Sequence, residues 1–303
     1  GCWCSCEIST ARNVAMQNKN ARSWLMVLLA LISWISLDAD AHADATCADP
    51  GPTEMHNPEY GDSYTFSTSN QATGRAFAPK YVRTEGRVDI VVMFHGSGCS
   101  ADTSFALYRL EKQLTQSHVK AVVIVPDQQL TEDPRTTLSA LISSAWATLR
   151  DNGTVSPASN YESIALIAHS HGFVSLSAAM RDAELGSKIH DVILINAAYD
   201  PRNKNYSDFV AACERNRLIV IWDADHYDKK RKKLWSDEMK AQFRPPYLDT
   251  EDGNTSAQDC PKLGAHGAIF VHTDLPHSDA TYASGLIQRA LQVSNLNAAA
   301  GCP

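Results

Sequence analysis

The sequence predicts an α/β protein, a mostly parallel central sheet with helices on both faces. Three observations predict it. From Val88 onward, short and nearly continuous apolar runs recur, rich in β-branched residues. Such runs suit strands buried on both faces, as parallel strands are. Segments with apolar residues at helical spacing lie between them, and this alternation implies parallel strands joined by helical crossovers. In open sheets of this kind, ligand sites gather at the carboxyl ends of the strands.

The elements follow in chain order. Residues 1–15 (GCWCSCEISTARNVA) read as an upstream segment with no assigned role; Cys2, Cys4 and Cys6 have no histidine or partner cysteine beside them to complete a metal site. Residues 16–45 have the pattern of a signal peptide. Lys19 and Arg22 give a basic start, Trp24–Leu37 is apolar but short for a membrane span, and Ala41-His42-Ala43 places small residues where a signal peptidase reads. Cleavage is expected after Ala43 or Ala45. The product would be secreted or periplasmic, with no stable membrane span, and residues 46–303 would form one domain around a single core.

Residues 46–86 are polar and turn-rich, with alternation from Tyr64 to Phe77, which reads as an entry segment with one or two edge strands. Strands are then expected at Asp89–Phe94, Ala121–Val125, Ser163–Ala168, Asp191–Ile195, Leu218–Trp222 and Ala268–His272. Helices are expected at Phe105–Ser117, Thr136–Arg150, Val174–Glu184 and Tyr282–Val293. Only a short link joins Ile195 to Leu218. The connection from Trp222 to Ala268 is longer than usual and reads as a helix over Lys232–Gln242, then Pro245-Pro246 and a polar loop over Asp249–Asp259.

The net charge of −7 and pI near 5.9 give no domain-wide basic surface, so nucleic acid is not an expected partner. The basic run Lys229-Lys230-Arg231-Lys232-Lys233 reads as a solvated helix face. Five cysteines follow the signal segment: Cys47, Cys99, Cys213, Cys260 and Cys302. Export favours disulfides, and an odd count leaves one thiol over. Spacing does not determine the pairing; Cys260 with Cys302 is one that would tie the late loop to the C-terminus.

Three motifs fall at strand ends. Ala168-His169-Ser170-His171-Gly172 follows one strand and opens a helix. A serine in a sharp strand-to-helix turn stands clear of the backbone, and small residues two before and two after it are needed because neighbouring backbone passes close. The helix N-terminus adds positive potential where an oxyanion would form. Ser170 is therefore the candidate nucleophile. Phe94-His95-Gly96-Ser97-Gly98 ends the first apolar run. Its backbone can aim N–H groups at a developing negative charge, with Ser97 N–H as one donor and His171 N–H, just after the nucleophile, as the other. His95 reads as structural.

The third feature is an acid and a base in the order serine, acid, histidine. Asp223-Ala224-Asp225 follows Trp222, and Leu275-Pro276-His277-Ser278-Asp279 precedes the last helix. His277 is the candidate base and Asp225 the candidate acid, since it lies further into its loop; Asp223 is the alternative acid and Asp228 a third. His272 is the alternative base, though its place in a strand pattern favours a structural role. His226 and His266 have no assigned role. His169 and His171 flank the turn, which would splay them and argues against a metal pair. Asp223, Asp225 and Asp228 lack the glycine and distal glutamate of a calcium loop. No metal or other cofactor is expected.

Together the motifs FHGSG, AHSHG, WDAD and LPHSD make Val88–Val293 resemble the α/β-hydrolase superfamily, and more loosely its secreted bacterial esterases and lipases. Ala168 departs from the commonest glycine but is similar to that of several bacterial lipases. The resemblance implies the α/β-hydrolase fold. It also implies ester hydrolysis through an acyl-enzyme, with Ser170, Asp225 and His277 as triad and Ser97 and His171 as oxyanion donors. Many members carry a lid domain after the sixth strand. The short link after Ile195 leaves no room for a large one, so short- to medium-chain or polymeric esters are expected. A peptidase or acyltransferase of the same fold is the alternative, and a non-catalytic binding protein ranks last. Oligomeric state is not readable from the sequence.

Overall fold

The computed structural model describes residues 56–130, 137–197, 204–223, 227–228, 233–243, 247–251, 267–273 and 285–297. All of them belong to the compact unit Ala45–Pro303. The segments 1–15 and 16–45 lie outside the described residues, as do Cys47, Cys260 and Cys302.

Among the described residues, nine strands form one sheet. The chain enters through β1 (Gly61–Ser67) and β2 (Thr73–Pro79), an antiparallel pair. The buried strands are β3 (Asp89–Phe94), β4 (Ala121–Pro126), β5 (Ile164–His169), β6 (Ile189–Ile195), β7 (Arg217–Asp223) and β11 (Gly267–Thr273). Between the last two come a small hairpin, β8 (Tyr227–Asp228) with β9 (Lys233–Leu234), and the edge strand β10 (Tyr247–Glu251). The sheet order is β1-β2-β4-β3-β5-β6-β7-β11-β10. β2 runs antiparallel to β4, and from β4 to β10 in that order each adjacent pair is parallel.

Alternation along each strand divides the core in two. Ile90, Val92, Phe94, Leu166, Ala168, Leu194 and Val220 face one layer, with α3 (Leu138–Asp151), α4 (Phe173–Ala179) and α5 (Asn205–Ala212). Val91, Met93, Ile167, Ile193, Ile221 and Val271 face the other, with α1 (Ala101–Leu107), α2 (Leu110–Ser117) and α7 (Leu286–Gln292). Both faces are therefore apolar, which is why these strands read as continuous runs rather than as alternating ones. Each fully buried Ile, Val or Leu contributes about 1.5–3 kcal/mol.

Four expectations are corrected. The helix expected over Phe105–Ser117 is two helices. α1 starts earlier, at a capping box in which Ser100 and Thr103 bond each other's backbone, and Arg109 at φ 48° turns the chain into α2. Apolar spacing runs across the break because Phe105, Leu110 and Leu114 all face the same layer. The helix expected over Val174–Glu184 ends at Ala179, because the Asp182 carboxylate accepts from the N–H groups of Glu184 and Leu185 and draws the chain into a turn. The polar loop over Asp249–Asp259 begins as strand, since Tyr247–Glu251 pairs with Ala268–His272. Of the basic run 229–233 only Lys233 is among the described residues, and it lies in β9, paired with Asp228 in the hairpin, rather than on a helix; α6 starts at Trp235 and ends at Lys240.

Candidate active site

The site is built where β3 and β5, neighbours at the centre of the sheet, release their chains. Phe94 pairs with Ala168 across the ladder, so the glycine-rich loop and the serine turn leave from adjacent positions. β5 ends at His169. Ser170 then takes φ 50°, a left-handed conformation that is strained for serine, and the chain enters a short 3-10 turn and α4. Ser170 is half-buried.

Two glycines show how tightly this corner is closed. A Cβ on Gly172 would stand 2.2 Å from the Phe94 carbonyl oxygen and 2.9 Å from that of His95. Backbone cannot yield such space, so position 172 must be glycine. A Cβ on Gly96 would stand 3.3 Å from the Ser170 Cβ. The glycine-rich loop thus lies directly against the serine.

Within that loop, the His95 Nδ1–H donates to the Gly96 carbonyl at 2.8 Å, in a buried position that gives His95 a structural task. Gly96 N–H donates to the Tyr108 hydroxyl at 3.4 Å. Ser97 carries the next amide along, in an exposed stretch that turns at Gly98 with φ 76°. His171 lies in the first helical turn, where N–H groups have no partner within the helix. Its ring stands edge-on to Phe173, centroids 5.8 Å apart, whereas the His169 ring is buried against Tyr108. The two imidazoles end in different surroundings. Among the described residues, no group of three His, Cys, Asp or Glu side chains could hold a metal.

The remaining candidates divide between described and undescribed segments. His272 lies one residue before the end of β11, paired in register with Trp222. Its Nε2 accepts from the Lys240 ammonium at 3.1 Å, and its ring is tilted against Trp222. Asp223 ends β7 beside Thr273, the last residue of β11. Asp228 lies in the β8–β9 hairpin. Asp225, His277, His226 and His266 lie outside the described residues.

Sequence reasoning missed Tyr108. It sat inside an expected helix with nothing to mark it, yet its hydroxyl joins the glycine-rich loop to the residue before Ser170.

No protein-family model and no curated protein matches the sequence. Solved structures do. The feruloyl esterase module from Clostridium thermocellum is 13% identical with a TM-score of 0.50, over 80% of this chain and 91% of that one. An S-formylglutathione hydrolase from Agrobacterium tumefaciens is 10% identical with a TM-score of 0.46, over 78% and 94%. A hyperthermophilic esterase from the archaeon Pyrobaculum calidifontis is 15% identical with a TM-score of 0.44, over 79% and 86%. At such identities the likeness speaks to the fold, and the fold is that of the α/β-hydrolases.

Proposed function

We propose that this chain hydrolyses carboxylic esters through an acyl-enzyme formed on Ser170. The carrying observation is the strained Ser170 turn with Gly96 packed against it: a hydroxyl on a sharp bend, beside a loop of backbone N–H groups. Ser170 attacks the ester carbonyl while His277 takes its proton. The N–H groups of Ser97 and His171 hold the oxyanion. His277 returns the proton to the departing alcohol, and water then releases the acid by the same route. Asp225 orients His277, with Asp223 as the alternative acid. No step requires a cofactor.

The sheet supports this assignment of the base. Two strands, β6 and β7, lie between β5 and β11, so three strand spacings separate them, about 14 Å. Four residues of extended chain span about 14 Å at most, which lets His277, four past Thr273, come to Ser170. His272 is the weaker base, because Lys240 already donates to its Nε2.

The substrates we propose are short- to medium-chain esters or polyester. The link after Ile195, residues 196–216, contains α5 and is too short for a lid domain. Val174, four residues after the nucleophile, is 38% exposed. We further propose a secreted or periplasmic location. The apolar segment at Trp24–Leu37 supports it, and so does the disulfide at Cys99, which suits an oxidising compartment. Among the described residues, no helix is long and apolar enough to cross a membrane.

A fluorophosphonate probe should label wild-type protein at Ser170 and leave Ser170→Ala unlabelled. A series of p-nitrophenyl esters should then show rates that peak at short or medium acyl chains. Unlabelled, folded wild-type protein would end the enzymatic reading, and rates climbing steadily to sixteen carbons would end the substrate assignment.

A further inference from the structure

We infer that Tyr108 is a positioning residue for the oxyanion site, its hydroxyl holding the glycine-rich loop and the nucleophile turn at one spacing. The inference rests on the ester-hydrolase reading and adds a residue to it.

Tyr108 is fully buried, 0% exposed, in the break between α1 and α2. Two backbone features place it there. Its own φ is helical, closing α1, and Arg109 turns left-handed immediately after it. The ring packs edge-on to His169, centroids 5.4 Å apart. The hydroxyl lies 2.9 Å from His169 Nδ1, 3.4 Å from Gly96 N and 3.9 Å from Cys99 Sγ.

The donors and acceptors assign the protons. Gly96 N–H can only donate, so the Tyr108 oxygen accepts it. Two described side chains then lie within reach of the hydroxyl hydrogen. The Cys99 sulfur, in a disulfide, is a weak and distant acceptor; His169 Nδ1 is close and strong. In the arrangement inferred, Tyr108 donates to His169 Nδ1 and a neutral His169 carries its own proton on Nε2. One hydroxyl thus ties the residue before Ser170 to the residue before Ser97.

That tie acts on Ser97 N–H, the proposed oxyanion donor. Committing Gly96 N–H to Tyr108 directs the Gly96–Ser97 peptide, and the Ser97 amide follows it. Donors of this type act through placement relative to the oxyanion, and small displacements are expensive in rate. Tyr108 touches no reacting atom in this scheme.

The test compares wild type with Tyr108→Phe, which removes only the hydroxyl. Both proteins are assayed on an ester and on its thionoester, in which sulfur replaces the carbonyl oxygen. Developing negative charge on sulfur accepts hydrogen bonds poorly, so an intact oxyanion site favours the oxygen ester. Tyr108→Phe should lower kcat on the ester by about tenfold to a hundredfold, leave KM within about twofold, and shrink the preference for ester over thionoester. An unchanged kcat, or equal slowing of both substrates, would overturn the inference. Nitrogen-15 NMR of the wild-type histidines supplies a readout independent of turnover and of the variant's folding. His169 protonated on Nε2 supports the assignment, and protonation on Nδ1 refutes it. Failure of the hydrolase reading shows separately, as wild-type protein whose Ser170 does not react with fluorophosphonate.

Discussion

At the carboxyl ends of β3, β5 and β6, left-handed backbone recurs: Gly98 at φ 76°, Ser170 at 50° and Asn196 at 48°. At the amino ends of β3, β6 and β7, the residues that matter keep ordinary φ and bury charge instead. Asp191 is 0% exposed, and its carboxylate accepts from the backbone and side-chain N–H groups of Asn295. Arg217 is buried nearby and donates to the Val293 carbonyl. His190 faces Asn216, and burial lowers its pKa. Asp89 accepts from Ser163 N–H near the Arg87 guanidinium, and burial raises its pKa. The first end keeps strain where chemistry is proposed. The second pairs most of its polar groups, with the Arg217 Nε left buried without a hydrogen bond, and fastens the C-terminal segment through Asn295. Backbone strain at Ser170 is a better pointer to function than buried polarity is, since buried polar groups are ordinarily paired for structural reasons.

Three changes would break or sharpen this contrast. The largest effect is expected at Gly172, where a methyl group would meet two backbone carbonyls. Gly172→Ala should lose about 4 kcal/mol of stability or more, measured by denaturant unfolding; a loss under about 1 kcal/mol would mean that the corner is not closed as described.

The next is at the opposite end. Burial pushes the Asp191 pKa up to about 7, although the Asn295 amide and Arg217 act to lower it. A raised native pKa means that the folded state holds a proton which the unfolded state releases above about pH 4. The associated stability is complete below that pH and is lost as pH rises toward 7, on the order of 4 kcal/mol in all. Asp191→Asn should flatten unfolding free energy across pH 4 to 7, and an unchanged slope would assign the dependence to other groups.

The smallest change is the most diagnostic. Ser170→Gly removes the side chain from a left-handed position and should raise stability by about 1 kcal/mol while abolishing ester hydrolysis. A drop in melting temperature would show that Ser170 stabilises the fold and is not held under strain.

How much was legible in the sequence follows from what each segment buries. The six interior strands could be read because both of their faces are apolar, and the observed bounds of β3 match Asp89–Phe94. Tyr247–Glu251 is an edge strand of mixed polarity, with no run or alternation to give it away. The α1–α2 break stayed hidden because a left-handed residue redirects a helix without interrupting its apolar stripe. Ser170 was legible because its turn constrains the residues on either side, and the Gly172 geometry supplies the reason. Tyr108 was not, because its role arises from hydroxyl contacts to Gly96, Cys99 and His169 that no motif or periodicity marks. His277 and Asp225 rest on chain order and on the described ends of β11 and β7.

The pairing of Phe94 with Ala168 has a consequence for heat tolerance. The candidate nucleophile turn and the glycine-rich loop spring from a single rung of the most interior ladder, so no hinge separates these two parts of the proposed site. Amide protons on such rungs exchange only when the whole domain opens. The spacing of the Ser170 hydroxyl from the glycine-rich loop is therefore as durable as the fold, and labelling of Ser170 by a fluorophosphonate, if the proposed function holds, should persist on warming until global melting begins.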